Sequence, residues 1–305
     1  MLASVLAACG GDQGNSGGGP VRVIATYSIL GDLVRNVGGD HVELTTLVGP
    51  DGDAHTFEPA PSDNAELAEA EVVFQNGLGF ETWLDDLYES SGSEAKRVVV
   101  TKEVKTLPVA GEEHGHESGA EDHEDHERGE RDPHVWHDPT KSVVMVETIR
   151  DALIKADPAK ADAYRRNARG YVSELRALDA DLRERVNTIP EENRTLFTTH
   201  DTFGYFAERY GFEVDTALAS ASTEAGDPSA GETAALVERI EASGVPAIFA
   251  ENVSDASVME SIATEAGVEL APPLYTDALG GPGSDGATYE QMMRYNVSTM
   301  AEALQ

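Results

Sequence analysis

One long amphipathic segment, residues 157–189, constrains the fold more than any other part of this chain. Its apolar side chains recur at alternating steps of three and four residues, which places them on one face of a helix. Asp157 can cap the N-terminus, Pro158 occupies a position that helices tolerate, and Pro190 ends the segment. At 1.5 Å per residue, the predicted helix is about 45–50 Å long and can cross a whole domain. Its apolar face consists of Tyr164, Ala168, Tyr171, Leu175, Leu178, Leu182, Val186 and Ile189.

A coiled coil is the alternative interpretation of this segment. Its heptad pattern is short, however, and the seam would contain an alanine and two tyrosines. We therefore expect one long helix packed against the rest of the protein.

Strands and helices alternate on both sides of the long segment. Before it, strands are predicted at 21–27, 41–48, 72–76 and 97–100, and helices at 28–37, 62–70, 80–90 and 140–156. After it, strands are predicted at 195–199, 212–218, 247–250 and 268–271, and helices at 202–210, 229–243, 255–266 and 289–304. Such alternation indicates parallel pairing with right-handed crossovers. We therefore predict an α/β fold with two parallel-sheet lobes, residues 20–156 and 190–305, joined by the rigid helix at 157–189.

The composition and charge exclude some classes of function. At 305 residues with 40% apolar side chains, the chain is long enough for two globular lobes, each with its own core. The net charge of −34 argues against a nucleic acid partner, because binding to a phosphate backbone requires Lys and Arg. An acidic surface attracts cations, although solubility or adaptation to salt explains the charge equally well.

Residues 1–19 form a separate N-terminal region that contains the only cysteine, Cys9. The sequence Leu6-Ala7-Ala8-Cys9 resembles the lipobox of bacterial lipoproteins, in which the signal peptide is removed and the cysteine becomes a lipid anchor. Residues 10–19 have the composition of a flexible tether. No charged region precedes the apolar run, so either the start site is misplaced or the signal is truncated. A disordered terminus with an incidental cysteine is the alternative.

The segment 112–132 interrupts the α/β pattern of the first half. It has almost no apolar side chains and ten acidic residues, so we predict a disordered loop that buries no core. Its histidines suit a low-affinity collector of zinc, and a solvated charged linker is the alternative. These histidines are His114, His116, His123 and His126.

Four polar residues share a position relative to the predicted strands. His55, His134, His200 and Asp277 each follow a strand or begin the next helix, and open parallel sheets bind ligands beyond the carboxyl ends of their strands. If two such sheets face each other across the long helix, all four side chains can meet in the cleft between the lobes. Imidazole nitrogens and a carboxylate oxygen are ligands that a tetrahedral zinc site accepts. Singly, each histidine is weak evidence, and His200 could equally be a hydrogen-bonded residue at a strand end.

The motifs around these residues resemble a known family. They read GDAHTFEP at 52–59, DPHVW at 132–136, HDTFGYF at 200–206 and YTD at 275–277, and they flank a long helix. In that order they resemble the zinc- and manganese-binding solute-binding lipoproteins of ABC transporters, the ZnuA/TroA-like proteins. The resemblance extends over essentially the whole chain from about residue 21.

The resemblance implies both a site and a function. It implies that His55, His134, His200 and Asp277 are the four metal ligands and that a rigid helix joins the lobes. It also implies an extracytoplasmic monomeric receptor, anchored to the membrane or periplasmic, that delivers its ion to an ABC permease. The histidine-rich loop resembles that of zinc-handling members.

The donor set favours zinc over manganese as the bound ion. Three imidazoles and one carboxylate suit Zn²⁺, whereas manganese sites favour more oxygen ligands. By the resemblance, members that handle manganese often carry a carboxylate where His200 stands. We expect Zn²⁺, with Mn²⁺ as the alternative.

Other residues near the motifs have alternative roles. His137 departs from the family pattern, which usually has an apolar residue there, and could compete with His134 as a ligand. Glu251, Asp201 and Asp138 could accept the second ring proton of a ligating histidine, or the two aspartates could simply cap helices. Trp136, Phe57 and Phe203 are expected to form the walls of the cleft.

Two other functions share the same predicted site. A zinc hydrolase would leave one metal position open, whereas Asp277 as fourth ligand closes it, and the chain has no H-E-x-x-H motif. A surface adhesin or zinc buffer without a transporter would have the same ligands.

Overall fold

The computed structural model describes residues 19–109, 131–217 and 229–305. Cys9 lies outside these described residues, as do His114, His116, His123 and His126. Across the described ranges, strands that pair in parallel alternate with helices, so the predicted α/β class is confirmed. In the part of the chain that the structure describes, no helix carries an apolar stretch long enough to cross a bilayer.

The first half forms a four-stranded parallel sheet with the strand order β2-β1-β3-β4. Strand β1, one of the two inner strands, is rich in β-branched residues and buries nearly every side chain, as expected for a parallel sheet covered on both faces. The elements are β1 (Val21–Tyr27), α1 (Ser28–Gly38), β2 (Val42–Val48), α2 (Pro61–Glu69), β3 (Val72–Gln75), α3 (Leu84–Ser91), β4 (Lys96–Val99) and α4 (Pro139–Ala156).

The long segment forms helix α5, Ala161–Val186. It is shorter than predicted, because residues 158–160 form a 3-10 turn whose cap is the Asp157 side chain. Its 26 residues correspond to about 39 Å of helix. All eight predicted apolar positions are buried. The helix packs against α1 and α4, and also against the last helix of the chain, so it supports the first half directly.

The strands of the second half form two parallel pairs, β5 with β6 and β7 with β8, instead of one continuous sheet. A register irregularity interrupts the β7–β8 pair between Phe249 and Glu251. The elements are β5 (Thr195–Thr198), α6 (Gly204–Tyr210), β6 (Glu213–Thr216), α7 (Ala230–Ser243), β7 (Ala247–Glu251), α8 (Ser257–Ala266), β8 (Glu269–Leu274) and α9 (Tyr289–Ala303).

The last helix, α9, returns to the first half of the chain. It packs against α5 and α1, and the backbone N–H of Tyr289 donates to Oδ2 of the buried Asp32 at 3.1 Å. One apolar core therefore continues from β1 through α5 to α9. The division into lobes at 20–156 and 190–305 remains a proposal, because α9 packs on helices from both sides of that boundary.

Candidate metal centre

The structure brings His55, His134, His200 and Asp277 together. His55 lies in the loop after β2, His134 precedes the 3-10 turn that leads to α4, His200 follows β5, and Asp277 follows β8. One potential ligand atom from each residue lies within 4.8 Å of the others, and all four side chains are buried. The group therefore draws two residues from each half of the chain.

Three of the distances between these atoms match the edges of a small coordination shell. Nε2 of His55 lies 3.3 Å from Nε2 of His134 and 3.5 Å from Oδ2 of Asp277. Nε2 of His200 lies 3.2 Å from the same Oδ2. Ligand atoms about 2.1 Å from a tetrahedral ion are about 3.4 Å apart, so one ion fits among them with little rearrangement. Apart from their contacts within this group, Nε2 of His200 and Oδ2 of Asp277 are buried and have no hydrogen-bond partner, as expected for atoms directed at a ligand.

The charges in the site are strongly coupled. Burial favours a neutral carboxyl at Asp277, but His200 and His134 outweigh it and lower the pKa of Asp277. Burial also opposes protonation of His200, yet the carboxylates of Glu251 and Asp277 raise the pKa of this imidazole well above its ordinary value. Burial lowers the pKa of His55 to about 4, despite the attraction of Asp277. Asp277 is therefore ionised and ready to bind a cation.

Two carboxylates orient His200 and His134 by contacting the ring nitrogen that does not face the group of four. Nδ1 of His200 lies 2.6 Å from Oε2 of Glu251, and the backbone N–H of His200 donates to Oε1 of Glu251 at 2.9 Å. Oδ1 of Asp132 lies 2.8 Å from Nδ1 of His134 and accepts from its backbone N–H at 2.9 Å. A carboxylate on the second ring nitrogen fixes the tautomer so that Nε2 is free to bind metal.

Sequence reasoning named Glu251 but did not single out Asp132. The sequence did carry a signal for Asp132. An aspartate two residues before a histidine can accept a hydrogen bond from the backbone N–H of that histidine in an Asx turn. Asp138 caps α4 by accepting from the backbone N–H of Thr140, as the capping alternative predicted. Helix α6 begins only at Gly204, with Phe203 at its N-cap, so Asp201 is not the N-cap residue that the capping alternative expected. Asp201 itself is buried beside His200.

His137 lies outside the group of four. Its ring is fully buried and packs on Phe203, with 4.5 Å between ring centroids. Its Nε2 lies 3.3 Å from the hydroxyl oxygen of Thr202, and burial lowers its pKa to about 3. His137 therefore faces Thr202, while His134 faces the other candidate ligands.

Aromatic rings surround the histidines. Phe80 contacts His55 edge-on with 4.7 Å between ring centroids, and Trp136 contacts His134 at 5.4 Å. Trp136 is thus a wall of the site, whereas Phe57 packs on the ring of Trp83. Phe80 was not predicted as a wall, since sequence reasoning placed it at the start of a helix.

Comparison with known proteins identifies the family. The zinc-uptake complex component A periplasmic family matches residues 23–303, nearly the whole chain. The chain belongs to this family. Its relatives include the manganese-binding lipoprotein MntA of Halalkalibacterium halodurans, 34% identical over 100% of this chain and 96% of that protein.

Solved structures agree with the zinc-uptake family assignment. The periplasmic zinc-binding protein TroA of Treponema pallidum is 30% identical with a TM-score of 0.82, covering 94% of this chain and 99% of that one. The Mn-bound periplasmic metal-binding protein of Candidatus Liberibacter asiaticus has a TM-score of 0.81 over 93% of this chain and 100% of that one. At 24% identity, the latter supports the fold alone.

Family membership determines the general function. The relatives are substrate-binding proteins of metal ABC transporters, so the chain is a solute-binding receptor and not an enzyme. This function implies a divalent metal as ligand and a membrane permease as partner. The zinc hydrolase considered from the sequence is therefore excluded. The choice of zinc is not confirmed, because the relatives include both manganese-binding and zinc-binding proteins.

Proposed function

We propose that this receptor captures Zn²⁺ outside the cell through His55, His134, His200 and Asp277 and delivers it to its permease. The observation that carries this proposal is the buried group of three imidazoles and one carboxylate, with atoms spaced for a single small ion. Glu251 and Asp132 support this proposal. Each contacts Nδ1 of a histidine, His200 or His134, so that the Nε2 atom is available to the ion.

The chemistry of the donors favours zinc. A site with three neutral nitrogen donors and one charged oxygen suits the borderline ion Zn²⁺, and a closed four-coordinate shell is common for it. Mn²⁺ prefers more oxygen ligands and a higher coordination number. Among the described residues, this group contains one carboxylate, that of Asp277.

Manganese is the second candidate cargo, and a specific observation favours it. The relative from Halalkalibacterium halodurans, 34% identical over the whole chain, is a manganese-binding lipoprotein. Similar receptors in this family therefore handle different ions.

A competition titration decides between the two ions. The purified, metal-free chain is titrated with Zn²⁺ and with Mn²⁺ against chelators of known affinity. We expect one ion per chain and a lower dissociation constant for zinc. A lower dissociation constant for manganese would overturn the zinc assignment while leaving the receptor function intact.

We also propose that the receptor acts as a monomer attached to the outer face of the membrane through a lipid on Cys9. The lipobox-like sequence at 6–9 and the lipoprotein relatives support the anchor. Replacing Cys9 by serine should move the protein from the membrane fraction to the soluble fraction. Retention of the Cys9→Ser variant in the membrane fraction would contradict the anchor.

A further inference from the structure

The loop that follows β2, residues 49–60, carries His55 into the candidate metal centre. Most of its residues are exposed or half-buried, whereas His55 itself is buried. Asp51 joins this loop to the second half of the chain by two hydrogen bonds. Its backbone N–H donates to the carbonyl of Leu279 at 2.8 Å, and its Oδ1 accepts from Nδ2 of Asn252 at 3.1 Å. The loop is therefore held directly by the half of the chain that lies across the site.

Asn252 also holds the segment that carries Asp277. Its Oδ1 accepts from the backbone N–H of Thr276 at 3.1 Å, and its Nδ2 donates to the carbonyl of Ala278 at 3.3 Å. Because the amide nitrogen carries two hydrogens, the bond to Ala278 and the bond to the His55 loop can form together. One side chain thus connects both neighbours of Asp277 to the loop with His55.

This connection lies beside a pair of candidate ligands. Nε2 of His55 is 3.5 Å from Oδ2 of Asp277, so this pair spans the boundary between the loop and the second half. All four candidate ligands are buried, and an ion can therefore reach or leave them only when part of the chain moves. Asp51 is exposed and Asn252 is half-buried, so water can replace their hydrogen bond when the loop moves away.

The loop is fixed to its own half by other contacts. Nε1 of Trp83 donates to the carbonyl of Ala54 at 2.8 Å, and the ring of Phe57 packs on that of Trp83 with 4.8 Å between centroids. Loss of the contact at Asp51 would therefore leave the loop folded on the first half. It would loosen the position of the loop relative to the second half.

We propose that Asn252, through Asp51, holds His55 in place beside Asp277 and thereby sets how long the ion stays bound. This inference rests on the proposed metal site. Asn252 and Asp51 are positioning residues in this proposal, since both act through the segments that carry the ligands. Differences in affinity between related complexes lie mostly in the dissociation rate constant, so we expect the effect there.

The test exchanges the donor and the acceptor of this contact. Asn252→Asp removes the donor and places two carboxylates side by side, whereas Asp51→Asn keeps an acceptor oxygen and adds a donor. The double variant with both changes restores the hydrogen bond in the opposite direction. Asparagine suits position 51, whose φ is 56°, because Asn and Asp tolerate left-handed backbone.

Asn193→Asp is the matched control. Asn193 is half-buried, like Asn252, and donates to a backbone carbonyl, that of Leu304, at 2.9 Å. It precedes β5, whereas His200 follows this strand, so it lies at the opposite end of β5 from the site.

Stopped-flow mixing of the zinc-loaded proteins with an excess of a fluorescent zinc chelator measures the dissociation rate constant. A separate equilibrium titration gives the dissociation constant, and the two values together give the association rate constant. We expect Asn252→Asp to raise the dissociation rate constant about tenfold, with an association rate constant that stays within about threefold. A negative charge added near a bound cation would by itself slow release, so charge alone cannot explain faster release.

The other variants should follow the strength of the contact. Asp51→Asn should raise the dissociation rate constant about twofold to threefold, because an amide oxygen is a weaker acceptor than a carboxylate. The double variant should release zinc more slowly than Asn252→Asp, and Asn193→Asp should match the unmodified protein. Melting curves identify a variant that fails to fold. Asp51→Gly then replaces Asn252→Asp, because it removes the acceptor and glycine adopts this backbone freely.

The outcomes separate this inference from the proposed function. An unmodified chain that does not bind zinc refutes the proposed function and this inference with it. An unmodified chain that binds zinc, together with an unchanged dissociation rate constant in Asn252→Asp or in its replacement Asp51→Gly, refutes the role of Asn252 alone. A double variant that releases zinc as fast as Asn252→Asp also refutes it, because the contact with Asp51 would then not matter.

Discussion

Nδ1 of His200 lies 2.6 Å from Oε2 of Glu251, a contact between the ends of two strands, β5 and β7, that belong to different pairs. The same carboxylate accepts from the backbone N–H of His200 and from the Thr276 hydroxyl. Thr276 directly precedes Asp277, so Glu251 connects the two candidate ligands of the second half. The position of this carboxylate therefore affects the orientation of both His200 and Asp277.

Replacing Glu251 by glutamine should weaken metal binding. The amide cannot stabilise the imidazole as a charged carboxylate does, and loss of such a partner typically lowers metal affinity about 10–100-fold. The exposed Glu269, at the start of β8, gives a matched control as Glu269→Gln. A chelator-competition titration measures both variants, and equal affinities in the two would contradict the orienting role of Glu251.

Metal binding should weaken steadily as the pH falls. A raised pKa means that His200 in the metal-free protein still holds its proton at pH values below that pKa, so an incoming ion must displace it. Each unit of pH below this pKa should then lower the apparent association constant about tenfold. His55, with its pKa lowered to about 4, competes with a proton only in more acidic solution.

Calorimetry in buffers of different ionisation enthalpy measures the protons released on binding. We expect release of about one proton near neutral pH, from His200. A dissociation constant that stays the same between about pH 7.5 and pH 5.5 would contradict displacement of a histidine proton.

An added methyl group at Gly204 should disturb the site through Asp132. A Cβ at this first residue of α6 would lie 2.8 Å from Oδ2 of Asp132, the carboxylate that holds His134. We expect Gly204→Ala to lower zinc affinity, because the buried Asp132 must move to make room for the methyl group. Gly170→Ala in α5 meets no atom within 4 Å and should bind metal normally. Equal affinities for the two variants would show that Asp132 tolerates displacement.

The apolar face of α5 should contribute strongly to stability. Leu178 is 1% exposed in the core that spans both halves, and truncation of such a leucine to alanine typically costs about 2–5 kcal/mol. Arg176→Ala, on the exposed face of the same helix, should change the free energy of unfolding by about 0.5 kcal/mol or less. Denaturant unfolding of the metal-free chain measures both, and equal costs would contradict the packing role of this face.

Periodicity predicted the elements well but placed the starts of several helices too early, α3 and α6 among them. Helix α3 starts at Leu84 instead of residue 80, because the preceding turn is fixed by the half-buried Glu81, which accepts from the backbone N–H groups of Asn76 and Gly77. Helix α6 starts at Gly204 instead of residue 202, where the Thr202 side chain bonds to Asp277. In both cases, a side chain just before the helix, that of Glu81 or Thr202, makes hydrogen bonds near the candidate site.

The four converging side chains could be predicted from their motifs and from the carboxyl ends of parallel strands. Phe80 and the Thr202–His137 pair could not, because their contacts join parts of the chain that are far apart in sequence.

Strand β8 also extends through Pro272 and Pro273 beyond its predicted end. In the described residues β8 pairs only with β7, and such an edge position tolerates missing backbone donors. The identity of the ion is likewise not fixed by the family, whose members bind different metals.

X-ray absorption spectroscopy of the chain loaded with one equivalent of zinc tests the central claim most directly. The spectrum reports the number and type of atoms bound to the ion. We predict three imidazole nitrogens and one carboxylate oxygen at about 2.0–2.2 Å, and the loss of one imidazole in the His200→Ala variant. A zinc ion with fewer than three imidazoles, or one whose spectrum is unchanged by His200→Ala, would contradict a site formed by residues 55, 134, 200 and 277.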